Sequence, residues 1–190
     1  MLNKKYFEKL RADLLSYSEK RREVIKQAGD AQHAAKKAIF ALQRDNLAEA
    51  KESLAKAESL LLDLSKKNAK DSRIFDEGSF KAALEEYTEA VLFKQFLDRE
   101  PIGEIKTFKL DSDAYVSGLC DVPGEIVRYA IKAATARDFR TVTHCNLVAE
   151  AIIAELVDMD LTGYNRQKFD QAKQALNKLQ QIVYEVSLKQ

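Results

Sequence analysis

Two pairs of carboxylates sit on helix faces whose other members are apolar. Ala82, Glu86, Glu89, Phe93 and Phe96 fall at offsets 0, 4, 7, 11 and 14, one continuous stripe of an α-helix. That stripe should turn inward and carry both glutamates with it. A solvated helical glutamate usually has a lysine or arginine three or four residues away. Glu86 has Ala82, Ala83, Glu89 and Ala90 at those spacings, and Glu89 has Glu85, Glu86, Leu92 and Phe93. Further along, Ala114, Gly118, Asp121 and Glu125 line one face of another helix, with Asp121 and Glu125 a single turn apart. Gly118 on that face leaves room for a second backbone to come close. Arg128, three residues after Glu125, offers an ordinary salt bridge as the plainer explanation of that one carboxylate.

Packing these two helices together would bring four acids into one place. At an effective dielectric near 20, two unit charges about 5 Å apart repel by roughly 3 kcal/mol. Full ionisation of such a cluster is prohibitive, so it must take up protons or bind cations. Oxygen donors without histidine or cysteine favour Mg²⁺, Mn²⁺ or Ca²⁺ over zinc. Such an ion makes a bound water more acidic and stabilises charge on a phosphoryl oxygen, which is nuclease chemistry. ExxE and DxxxE spacings are common on helices. The apolar setting and the missing local cations give them weight here.

The elements that must position these residues are helical almost throughout. Only two prolines and six glycines interrupt 190 residues, and hydrophobic residues make up 46% against 32% charged. A first helix is expected from about Asn3 to Arg44, spanning the bundle and bent near Gly29. Asp45 or Asn46 caps a second, which carries Leu47, Leu54, Leu61 and Leu64 into the basic stretch Lys66 to Lys70. Residues 68–78 read as a loop, after which Ser79 caps a helix to about Asp98, stopped by Pro101 and Gly103. Lys106 to Leu110 reads as a short extended piece. Asp111 or Ser112 then opens a long helix to about Ala136, followed by helices over roughly Thr141 to Met159 and Asn165 to Leu188. Pro123, inside the long helix, removes one backbone hydrogen bond, and the resulting kink either aims Asp121 and Glu125 or is merely tolerated. The expectation is an all-α, antiparallel bundle of six to seven helices forming a single domain over residues 1–190.

The acidic segments resemble the translin/TRAX family. Leu84-Glu-Glu-Tyr-Thr-Glu-Ala-Val-Leu-Phe-Lys-Gln-Phe96 is similar to the stretch that carries two catalytic glutamates in TRAX, translin-associated factor X. Leu110-Asp-Ser-Asp-Ala-Tyr-Val-Ser-Gly118, continuing through Asp121 to Gly124-Glu125-Ile-Val-Arg128, resembles the family's Asp-Tyr-x-x-Gly…Asp-x-x-Gly-Glu helix. Val183 to Lys189 resembles the C-terminal end that translin and TRAX share. The likeness is strong from Leu84 to Arg128 and weaker over the first two helices. It implies a translin-type fold, octameric assembly enclosing nucleic acid, and Mg²⁺-dependent endoribonuclease activity, with Mn²⁺ as a substitute ion. By the same resemblance, Glu86, Glu89, Asp121 and Glu125 are the catalytic and metal-binding set. Translin lacks that set and acts as a binding partner, so its retention points to a compact, TRAX-like protein that forms a homo-octamer. Two features depart from eukaryotic TRAX: the N-terminal part is shorter, and Pro101 to Lys109 replaces a larger insertion.

A net charge of only +1 excludes any inference of nucleic-acid binding from bulk electrostatics, so a local basic surface is needed. Arg21, Arg22 and Lys26 on the first helix either contact phosphates or form a solvated face balanced by Glu19 and Glu23. Arg128, Lys132 and Arg137 follow the carboxylates and are better placed beside a scissile phosphate; Arg166 and Lys168 open the last helix. RNA, single-stranded or duplex, is the expected partner, with single-stranded DNA as a further one. Cys120 and Cys145 lack a CxxC pattern and read as reduced, buried thiols. His33 and His144 read as ordinary residues, and Tyr87, off the glutamate stripe, as a packing residue. No apolar run approaches the roughly 18 residues of a membrane span, and Met1 to Leu15 lacks a signal-peptide core, so a cytoplasmic protein is expected. The alternative function is a non-catalytic, translin-like oligomer that binds single-stranded RNA or DNA. A di-iron bundle is disfavoured because no Glu-x-x-His pair exists, and a purely structural coiled coil remains a minor alternative.

Overall fold

The computed structural model describes residues 1–69, 71–107 and 110–188, and every regular element among them is helical. Seven helices follow in order: α1 Lys4–Gln43, α2 Leu47–Lys67, α3 Ser72–Phe75, α4 Gly78–Leu97, α5 Ser112–Thr135, α6 Phe139–Val157 and α7 Gly163–Ser187. No helix among the described residues is long and apolar enough to cross a membrane.

Short polar caps set most of the boundaries. The Asn3 side chain accepts from the Tyr6 amide, Asn46 from Glu49, Asp111 from Ala114 and Asp138 from Thr141. Asp45 is therefore not the cap of α2; it takes a left-handed φ of 58° in the turn before it. Two expectations need correction. Residues 68–78 contain the single turn of α3, and Ser79 does not cap α4. Glu77 holds the cap position without a side-chain bond, its carbonyl accepts from Phe80 and Lys81, and Ser79 Oγ is buried without a partner. α1 runs unbroken through Gly29 and α5 through Pro123. Within the Lys106–Leu110 segment, Phe108 and Lys109 lie outside the described residues, and their described neighbours form no strand.

α1 enters the core only from Val24 onward. Val24, Ala28, Ala31, Ala35, Ala38 and Leu42 form its buried seam, and the many alanines let α2 and α4 lie close against it. Residues 1–16 are exposed throughout, so the helix overshoots the bundle rather than merely spanning it.

Cross-helix contacts fix the directions. Glu23 pairs with Lys67 and Lys37 with Glu49, so α1 and α2 are antiparallel. Arg21 meets Glu77 whereas Lys36 meets Glu86, so α4 runs the same way as α1. Gly118 abuts Thr88, and Tyr129 packs on Phe93 and Phe96, so α5 also runs the same way as α4. Successive helices otherwise reverse; because α4 and α5 run the same way, the chain between them returns to the end where α4 began.

Candidate metal centre

Close packing of α4 on α5 creates the site. A Cβ added at Gly118 would lie 2.6 Å from Thr88 Cβ and 2.7 Å from the Glu85 carbonyl oxygen, so glycine is what lets these helices touch. Glu86 and Glu89 then face Asp121 and Glu125 across the contact. The charges of Asp121, Glu86 and Glu125 are all felt at Glu89.

Glu89 is the centre of the group. Burial is the main reason its carboxyl is pushed up to about 9, and the three neighbouring carboxylates add to it. No hydrogen bond or ion pair from a described residue reaches it. Glu86 is also raised by burial, but the Lys36 ammonium lies 3.5 Å from Oε2, and Gln32 Nε2 lies at the same distance. Asp121 is raised by burial, against the pull of Lys168, whose ammonium is 2.5 Å from Oδ2. Glu125 accepts from Gln43 Nε2 at 2.8 Å and from Arg128 at 3.1 Å. As placed, no three His, Cys, Asp or Glu side chains among the described residues are arranged to hold a metal ion.

The cations that the local spacing left out thus come largely from other helices: Lys36 from α1 and Lys168 from α7. Sequence gave no signal for Gln32 or Gln43, or for Glu85, which shares Lys168 at 3.2 Å. Two residues nominated as phosphate contacts pair with the acids of the site. Lys168 is enclosed between Asp121 and Glu85. There burial opposes its charge, yet the Asp121 bond and both carboxylates hold its pKa above the usual lysine value. Arg128 pairs with Glu125 and lies over the Phe40 ring. Lys132 donates to the Gln43 carbonyl and to Asp45, Arg21 pairs with Glu77, and Arg166 with Asp170. Arg22, Lys26 and Arg137 are exposed and form no ion pair among the described residues.

The remaining nominees behave as ordinary residues. Cys120 and Cys145 are free and buried, their thiols pushed up to about 12 by burial, so neither is a thiolate nucleophile. Tyr87 is buried and donates to Glu58 at 3.1 Å. His33 is exposed, and His144 stacks on Phe96.

Glu89 makes stability depend on pH. The folded protein keeps its proton up to about 9, whereas an unshifted glutamate releases it near 4.5. Across that window the native state binds more protons, so the contribution is complete below about 4.5 and lost as pH rises toward 9. Urea denaturation of the ion-free protein at about pH 6 and about pH 8.5 should show this loss, and Glu89→Gln should flatten it. An unchanged difference in the variant would assign the pH dependence to other groups.

Comparison with known proteins agrees with this architecture. No curated protein sequence matches the chain. Among solved structures, AfC3PO superposes with a TM-score of 0.88 at 23% identity, covering 97% of this chain and 98% of the other. The complex of AfC3PO with duplex RNA superposes at 0.86 and 22% identity over 97% and 98%. Apo-NeC3PO gives 0.86 at 19% identity over 98% of both chains. At such identities the likeness establishes the fold. The family is settled by sequence: the Translin family model matches residues 19–190, and the chain belongs to the Translin family.

Proposed function

We propose that this protein is a TRAX-like, Mg²⁺-dependent endoribonuclease that binds RNA within a cytoplasmic homo-octamer, each 190-residue chain acting as one unit. The observation that carries the reading is Glu89, a half-buried carboxyl where α4 meets α5, with no hydrogen-bonding partner among the described residues and three acids around it. The donor set fits a hard divalent ion, since the anionic groups felt at Glu89 are the carboxylates of Asp121, Glu86 and Glu125. Glu86, Glu89, Asp121 and Glu125 would hold Mg²⁺, or Mn²⁺ in its place. When bound, such an ion acidifies water and stabilises the charge that develops on phosphoryl oxygens.

The chain's own residues do the rest. Gln43 Nε2 donates to both the carboxylate and the backbone carbonyl of Glu125 and so orients it. Lys36, Arg128 and Lys132 keep about half their side-chain surface in solvent at the edge of the acids, where they can hold the RNA backbone without reading sequence. Arg22, Lys26 and Arg137 supply further exposed charge. The AfC3PO complex with duplex RNA supports RNA as the ligand.

A second reading is a non-catalytic oligomer that binds RNA or single-stranded DNA. It is favoured by the cations already paired with Glu86, Asp121 and Glu125. Labelled single-stranded and duplex RNA incubated with Mg²⁺, Mn²⁺ or EDTA distinguishes the two. Cutting with either ion and none with EDTA is expected; salt-sensitive binding without cutting under any condition would leave the second reading.

A further inference from the structure

Lys168 differs from every other cation in an ion pair. Its side chain is 12% exposed, whereas those of the other paired lysines and arginines among the described residues are 41% or more exposed. The ammonium sits 2.5 Å from Asp121 Oδ2 and 3.2 Å from Glu85 Oε2, reaching from α7 between α4 and α5. The Tyr164 ring lies beside it, centroid 5.3 Å away, and the Tyr164 hydroxyl donates to the same Glu85 oxygen at 3.2 Å. An enclosed charge is tolerated only while it is paired. Once a divalent ion takes Asp121, the ammonium loses its shorter contact and faces a second cation nearby. Lysine is a point charge on a flexible four-carbon stem, so it can leave one anion for another without moving its helix.

We propose that Lys168 stands in for the metal in the ion-free protein, holding Asp121 and Glu85, and is released to the RNA phosphate when a divalent ion occupies Asp121. This rests on the metal-dependent reading above and adds to it a positioning residue on α7. Until the ion arrives, Lys168 neutralises part of the acidic cluster through Asp121 and Glu85. Exchange of one cation for another keeps the charge on Asp121 compensated throughout.

The test uses the intact wild-type protein. Lysine acetylation, read by mass spectrometry, is compared without ion, with Mn²⁺, and with Mn²⁺ plus a 2′-O-methyl RNA oligonucleotide. Lys168 should be protected at first, about tenfold more reactive with Mn²⁺, and protected again by the RNA, with exposed Lys67 as an unchanging reference. In parallel, free Mn²⁺ counted by electron paramagnetic resonance should show Lys168→Met binding the ion about tenfold more tightly than wild type, and Lys168→Arg binding it about as wild type does. Mn²⁺ binding by wild type with unchanged Lys168 labelling, or with Lys168→Met no tighter, overturns the exchange and leaves the nuclease reading standing. Failure of wild type to bind Mn²⁺ at all overturns both. If Lys168→Met does not fold, the wild-type labelling decides alone.

Discussion

Glu89→Gln should abolish Mg²⁺-dependent RNA cutting, lowering the rate by at least about a hundredfold, while RNA binding and the fold persist. The substitution keeps the shape of the side chain and removes only its capacity to carry charge. Glu89 has no hydrogen bond to lose among the described residues, and its proton is already held tightly, with the carboxyl pushed up to about 9. The neutral amide therefore resembles the protonated acid of the ion-free state, and the variant should unfold no more easily than wild type at neutral pH. What it lacks is the negative charge that a divalent ion needs. A metal contributes several kcal/mol of transition-state stabilisation, and each 1.36 kcal/mol lost is about tenfold in rate. Single-turnover cleavage of a labelled RNA, with filter binding on the same preparation, measures the two effects separately. A variant that cuts at the wild-type rate would remove Glu89 from the chemistry. Glu155→Gln, on the exposed side of α6, serves as the unaffected control.

Gly118→Ala should be the most damaging single-methyl change in the site. Its Cβ would meet the Thr88 side chain at 2.6 Å and the Glu85 backbone at 2.7 Å, and a backbone atom cannot swing aside. The helices must separate, at a cost of about 1–3 kcal/mol. In a chain of this size that is a drop in Tm of roughly 3–10 °C, measurable by calorimetry. Separation also pulls Asp121 and Glu125 away from Glu86 and Glu89, so cutting should fall further than the stability loss alone explains. Gly124→Ala is the informative contrast. Nothing lies within 4 Å of its added Cβ, and replacing glycine inside a helix should stabilise by about 0.5–1 kcal/mol. Equal Tm values for the two variants would contradict the close packing described here.

Much of this was readable in the chain because it depends on near neighbours. The apolar stripe of α4 and the capping side chains of Asn46 and Asp111 act within a turn or two, so spacing alone narrows each cap to two adjacent candidates. Gly118 was legible as a point of close approach because no other residue on its face is so small. The counter-charges were not. Lys36 and Gln32 reach Glu86, and Lys168 reaches Asp121, across about fifty positions, and no local pattern encodes such pairings. Ser79 misled for a related reason: its type suits a cap, but the helix begins one residue earlier and buries its hydroxyl. The one turn of α3 is too short to register as periodicity. That α4 and α5 run the same way rather than antiparallel is set by contacts between distant residues, such as Gly118 on Thr88 and Tyr129 on Phe93, which composition does not reveal.

The return of the chain between α4 and α5 has a consequence for synthesis. Glu86 and Glu89 leave the ribosome well before Asp121 and Glu125, and α5 can dock along α4 only after the connection has carried it back across the molecule. On the proposed reading, a nascent or truncated chain ending before α5 holds half of a cutting centre and is harmless to the transcript beside it. If the chain is the nuclease proposed, hydrolytic competence is thus withheld until the second half of the bundle has closed onto the first.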